Sequence, residues 1–126
     1  MPGRGGLQPS LDLGMHAPLN LHLALHPIEE RGDRLDLARK FGADVTFDVS
    51  KMEDAELVAA VRAECTPDGA DAVLEVCGLP AVVPAGLKML RVGGRYILGG
   101  LVNPDAMFTV DGNEILRRWI VMKGVH

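Results

Sequence analysis

At 126 residues, 48% of them hydrophobic and 24% charged, the chain has the size and composition of one globular domain with a real core. A formal charge of -4 without a basic stripe argues against a nucleic-acid partner, and three Phe, one Tyr and one Trp are too few for a base-stacking platform. Two cysteines, Cys65 and Cys77, make no disulfide framework and suit a reducing compartment. No run reaches transmembrane length and the start is a poor secretory signal, so no membrane partner is expected and the cytoplasm is the default location.

Residues 1–18 are rich in Gly and Pro and show no period, as in an irregular arm. In LNLHLALH, Leu19, Leu21, Leu23 and Leu25 alternate with other residues, which suggests a half-buried strand that Pro27 limits. His22 and His26 fall on its other face; with no Cys or Asp at ligand spacing, two surface histidines are expected rather than a metal pair. Asp33 suits the N-cap of a helix whose apolar face is Leu37 and Phe41 flanked by Leu35 and Ala38, and Gly42 suits its left-handed end. Val45–Val49 reads as a strand. Ser50 and Glu53 spell a capping box before a helix with Leu57, Val58, Val61 and Cys65 on one stripe. Pro67-Asp68-Gly69 is a turn, and the mostly apolar Ala72–Val76 reads as a strand covered on both faces.

Pro80 and Pro84 fit the first turn of a further helix running to about Leu90 with Val82, Val83 and Leu87. Gly93-Gly94 then turns the chain into the strand RYILGG, and MFTV is a short extended piece. Asp111 caps one or two helical turns before a final strand, Trp119–Val125. Helices and strands thus alternate after residue 28, the pattern of an α/β parallel sheet with crossover helices. Ligands bind such sheets at the carboxyl ends of the strands. Three segments qualify: Glu29-Glu30, Cys77-Gly78-Leu79 and Gly99-Gly100-Leu101-Val102. Strand ends also simply need turns, and Cys77 also suits a small buried side chain.

The phrases DRLDLARKFGAD, GADAVLEVCGLP, LKMLRVGGRYILGGLV and NEILRRWIVMKGVH, in this order and spacing, resemble the nucleotide-binding domain of the zinc-containing medium-chain alcohol dehydrogenase family. The resemblance spans residues 28–126 and implies a Rossmann-like sheet; the ending KGVH is most similar to alcohol- and polyol-dehydrogenase members. It further implies that Glu29 accepts hydrogen bonds from the adenosine ribose of NAD, with Glu30 as the other candidate and Arg34 flanking the adenosine. A carboxylate there would repel a 2'-phosphate and favour NAD over NADP. Cys77, Gly78 and Leu79 match the end of the family's fourth strand beside the cofactor. Gly100, Leu101 and Val102 match the segment that meets the nicotinamide end, largely through backbone. The Trp119–Val125 strand matches an edge that pairs two family subunits, so a homodimer is expected; an apolar edge is otherwise an aggregation hazard.

Other family features have no counterpart. The fingerprint G-x-G-x-x-G is not found before Glu29: Gly3-Arg4-Gly5 is followed by Gln8, and no strand precedes it. The zinc ligands of the family, a Cys, a Gly-His-Glu step and a further Cys or Glu, are not found either, nor is its cluster of four cysteines. The expected organisation is an arm at 1–27, unrelated to the family, and a partial dinucleotide-binding domain at 28–126 without its first strand and phosphate loop. Such a chain keeps part of an NAD site, weak or lost, no zinc site and no catalytic residues. It is either part of an NAD-dependent alcohol or polyol dehydrogenase, inactive alone, or a non-catalytic nucleotide-binding or dimerising module. A methyltransferase, echoed in VLEVCG and LRVGGRYIL, is set aside because one helix alone separates Val76 from Gly93.

Overall fold

The computed structural model describes residues 22–25, 31–65 and 67–126. Five strands and four α-helices alternate along them: β1 (His22–Leu25), α1 (Arg31–Lys40), β2 (Val45–Asp48), α2 (Asp54–Glu64), β3 (Ala70–Glu75), α3 (Val83–Met89), β4 (Leu90–Leu98), α4 (Gly112–Arg117) and β5 (Val121–Gly124). Every strand pairing is parallel, which confirms the α/β Rossmann-like class. The strands form two sheets: β1 with β2, and β3-β4-β5 with β4 in the middle. No described strand joins β1 to β3. β1 falls within LNLHLALH, where the alternating leucines predict a strand, and it pairs with β2.

Local chemistry accounts for most boundaries. Gly42 (φ +102°) follows α1, and the Ala43 and Gly42 amides donate to the carbonyls of Ala38 and Arg39, both at 3.0 Å. These two bonds close a Schellman motif, which needs a residue in the left-handed region. Asp33, expected as the N-cap of α1, lies inside its first turn instead, because the helix begins at Arg31. The expected Ser50–Glu53 box is also displaced. Ser50 sits in a 3₁₀ turn (Val49–Lys51) and donates to Asp48, and the N-cap of α2 is Glu53, whose amide donates to Glu56 Oε2 at 3.0 Å. The stronger acceptor three residues further on decides the register. Asp111 caps α4 as expected, accepting from the Asn113 amide at 2.9 Å.

The core has two parts. Val83, Leu87, Leu90, Tyr96 and Ile120 are buried between α3, β4 and the turn before β5. Leu57, Val61 and Met89 form the second cluster, against which Phe47 and Val49 pack from the β2 side and Val73 from β3. The expected α2 stripe is therefore real, and it ties the two sheets together. Val73 packs against both clusters.

Three expectations fail, each for a tertiary reason. Leu37 (51% exposed) and Phe41 (81%) do not form a buried face, because α1 packs on β2 and no described element covers their side. β3 is not covered on both faces: Leu74 and Val76 are exposed while Glu75, on the opposite face, is buried. Gly93-Gly94 does not precede the strand but lies inside it. Ala70 pairs with Leu90 and Ala72 with Arg95, so β4 carries extra residues that bulge out at Gly93 (φ +75°). The last strand is also shorter than expected, since Trp119 takes a positive φ of 51° and only Val121–Gly124 pair. Residues 107–110 form no regular element.

Candidate functional site

Two turns meet at the carboxyl end of the three-stranded sheet. The first, Cys77-Gly78-Leu79, follows β3; the second, Gly99-Gly100-Leu101-Val102, follows β4. Glu75 at the end of β3 joins them. Its Oε1 accepts from the Gly78 amide at 2.6 Å, its Oε2 from the Gly100 amide at 3.3 Å, and its main-chain carbonyl from the Gly99 amide at 2.8 Å. The backbones approach closely enough to exclude any side chain: a Cβ on Gly100 would lie 2.6 Å from the Val76 carbonyl carbon and 2.7 Å from the Gly78 nitrogen. The end of β5 lies alongside, with the Val125 amide donating to the Leu98 carbonyl at 2.9 Å.

The structure thus brings Cys77, Gly78, Leu79, Gly100, Leu101 and Val102 into one region. Arg34 is not among them; it is exposed on α1, in the layer of the other sheet. Glu29 and Glu30 lie outside the described residues. In the sequence Glu75 stands out only as one letter of an apolar strand. The signal available was its position: a carboxylate one residue before the apolar run ends, followed by Gly three residues on.

Desolvation first, and the Glu75 carboxylate after it, set the electrostatics of the region. Cys77 is exposed, not the small buried side chain the sequence also allows, because the turn after β3 lies at the sheet's end; desolvation still pushes its thiol up from the ordinary range, a backbone bond at Leu79 opposes this, and a hydrogen bond to Glu75 and its charge add to the rise. The direction of this shift disfavours the thiolate form of Cys77. Tyr96 is likewise pushed up, first by burial and then by Glu75. Among the described residues no group of three or more His, Cys, Asp or Glu is arranged to hold a metal ion. No described helix is long and apolar enough to cross a membrane.

A cavity of about 590 Å³ lies at the opposite end of β4, lined by Arg62, Asp68, Lys88, Leu90, Arg91, Val92 and Arg118. Its two central guanidinium groups are committed to backbone. Arg62 donates to the carbonyls of Lys88 (3.1 Å), Leu90 (3.0 Å) and Asp68 (2.8 Å), and Arg118 to those of Leu87 and Leu90. The carbonyls of Leu87, Lys88 and Leu90 lie at and just beyond the end of α3, where cations also meet the negative end of the helix dipole, and that of Asp68 belongs to the turn before β3. Stabilising that helix end accounts for the cluster.

The sequence profile of the zinc-binding dehydrogenases matches residues 27–126. The chain belongs to the zinc-binding dehydrogenase family. Among these dehydrogenases, L-threonine 3-dehydrogenase from Bacillus velezensis is 32% identical over 99 residues, covering 78% of this chain and 27% of the relative. An alcohol dehydrogenase zinc-binding domain protein from Burkholderia ambifaria superposes with a TM-score of 0.71 at 26% identity, over 85% of this chain and 27% of that one. A zinc-binding dehydrogenase from Sinorhizobium meliloti, solved with NADP bound, superposes with the same TM-score of 0.71 at 22% identity, over 84% of this chain and 30% of that one, and speaks to the fold alone. The chain therefore spans about a quarter of the length of the curated dehydrogenases it matches.

Proposed function

We propose that residues 28–126 form the later part of the dinucleotide-binding domain of an NAD-dependent alcohol or polyol dehydrogenase, and that this chain by itself does not catalyse the reaction. The observation that carries this reading is the pair of glycine turns in backbone contact at the carboxyl ends of adjacent parallel strands. The residues that would hold the cofactor are Glu29 and Arg34 at the adenosine end and Cys77, Gly78, Leu79, Gly100, Leu101 and Val102 at the nicotinamide end. When bound, the cofactor supplies the hydride acceptor. Leu79, Leu101 and Val102 offer it apolar surface that excludes water, and the neutral Cys77 adds no charge. Glu29 discriminates against a 2'-phosphate. Among the described residues no group of His, Cys, Asp and Glu is arranged to hold zinc.

Calorimetric titration of the full chain with NAD tests the reading. Saturable binding that Glu29→Ala abolishes is the expected result; the absence of any NAD binding refutes it. A second reading, a dimerising module, is favoured by a separate observation. β5 pairs only with β4 among the described strands, and Leu116 and Trp119, which precede it, and Val121 at its start are largely exposed. A symmetric dimer through the Trp119–Val125 edge would cover them.

A further inference from the structure

We propose that the open face of the β3-β4-β5 sheet is a docking surface for an amphipathic helix of another polypeptide, one that carries carboxylates along one side of its apolar stripe. This surface lies on the face of the strands, not in the turns at their ends, so it stands apart from the cofactor reading.

Side chains alternate along a strand, and residues in register on neighbouring strands share a face. Val73, Tyr96 and Met122 form one such row, and all three belong to the core cluster that includes Val83 and Leu87 of α3. The rows before and after it, Ala72-Arg95-Val121 and Leu74-Ile97-Lys123, therefore point the other way. A third row continues this face one residue beyond the strands. A Cβ on Gly99 would lie 3.5 Å from Val125 Cγ2 and 3.7 Å from Val76 Cγ1, so the two valines flank a notch floored by glycine. Ile97 and Gly99 are half-buried, the other members of the three rows are exposed, and none belongs to either core cluster.

Parallel sheets are covered by helices on both faces, and a contiguous apolar face left to water marks an interaction surface. Charge decides what covers this one. Leu74, Val76, Ile97 and Val125 make it apolar toward β3 and the carboxyl end. Arg95 and Lys123 stand on the middle and outer strands, and neither makes an ion pair or a hydrogen bond among the described residues. No member of the three rows is acidic. A second copy stacked face to face on a two-fold axis would bring its own Arg95 and Lys123 into the same interface, desolvating like charges with no carboxylate to meet them. A helix with carboxylates on one side of its apolar stripe meets both features at once. Its apolar side chains lie over Leu74 and Ile97, one of them in the notch at Gly99, while its acidic flank reaches Arg95 and Lys123, whose stems can lie along the apolar surface.

The test is fluorescence anisotropy of two labelled helical peptides titrated with the full chain. Both carry the same apolar stripe of Leu and Ala; one has Glu and the other Lys along one side of it. The expected result at low salt is binding of the Glu peptide about tenfold or more tighter than of the Lys peptide. Arg95→Glu combined with Lys123→Glu should reverse that preference, and Leu74→Ser should weaken the Glu peptide by about tenfold. All three side chains are exposed, so thermal unfolding should be unchanged by these substitutions. Where Leu74→Ser does not fold, the charge reversal alone carries the test. Equal affinity for the two peptides, a preference that survives the reversal, or no binding of either peptide overturns the proposal. Self-association of the parent chain in sedimentation velocity that Leu74→Ser removes also overturns it, by assigning the face to a second copy.

Discussion

Gly86 in the middle of α3 sets two effects of opposite sign against each other. Alanine is favoured over glycine in a helix interior by about 1 kcal/mol, so Gly86→Ala should stabilise the chain if the helix alone mattered. The structure decides otherwise. A Cβ at Gly86 would lie 2.6 Å from Tyr96 Cε2, 2.9 Å from its hydroxyl oxygen and 3.2 Å from Cζ. Ordinary contact begins near 3.4 Å, so the ring must retreat by about 0.8 Å. Tyr96 is 1% exposed and packed among Val83, Leu87, Leu90 and Ile120, which leaves it nowhere to go. Overpacking of this kind costs about 1–3 kcal/mol, more than the helix gains. We expect a net loss of about 1 kcal/mol and a fall in Tm of about 4 °C in far-UV circular dichroism. In a Tyr96→Leu background the same substitution should cost less, by about 1 kcal/mol, because the clashing ring is gone. A rise in Tm for Gly86→Ala alone would refute the packing argument.

Arg62→Met should lower the urea midpoint by the equivalent of about 2 kcal/mol, because the carbonyls of Lys88 and Leu90 at the end of α3 and of Asp68 before β3 lose a charged donor; an unchanged midpoint would show that water replaces the guanidinium fully. Asp111→Ala removes the side chain that accepts from Asn113 and should cost about 1 kcal/mol in the same assay, with Asp111→Asn nearly neutral. Cys77 alkylation by iodoacetamide, followed by peptide mass spectrometry, should be slower at neutral pH than that of a free thiol and should need a more alkaline pH to reach the same rate, since the raised pKa keeps the thiolate scarce; labelling at the rate of an unstructured cysteine contradicts this. Val121→Lys should reduce the mass measured by light scattering from dimer to monomer, and a parent chain already monomeric at high concentration ends the edge-pairing proposal.

The alternation of helix and strand, and with it the parallel α/β class, was legible because it depends on local periodicity and on capping residues. Gly42, Asp111 and the Leu57–Val61 stripe act within one or two turns, and all three behave as their sequence context implies. The two glycine turns were legible as candidate sites for the same reason: glycine after an apolar run marks a strand end. Tertiary structure alone decided which apolar residues are covered. Phe41 and Leu74 have the same hydrophobicity in any context, but burial requires a facing element, and none of the described ones faces them. It also decided the bulge at Gly93, which depends on the pairing register of β3 with β4. Glu75 is the clearest case. Its side chain reaches an amide twenty-five residues away, and no local pattern records a contact between segments that only folding brings together.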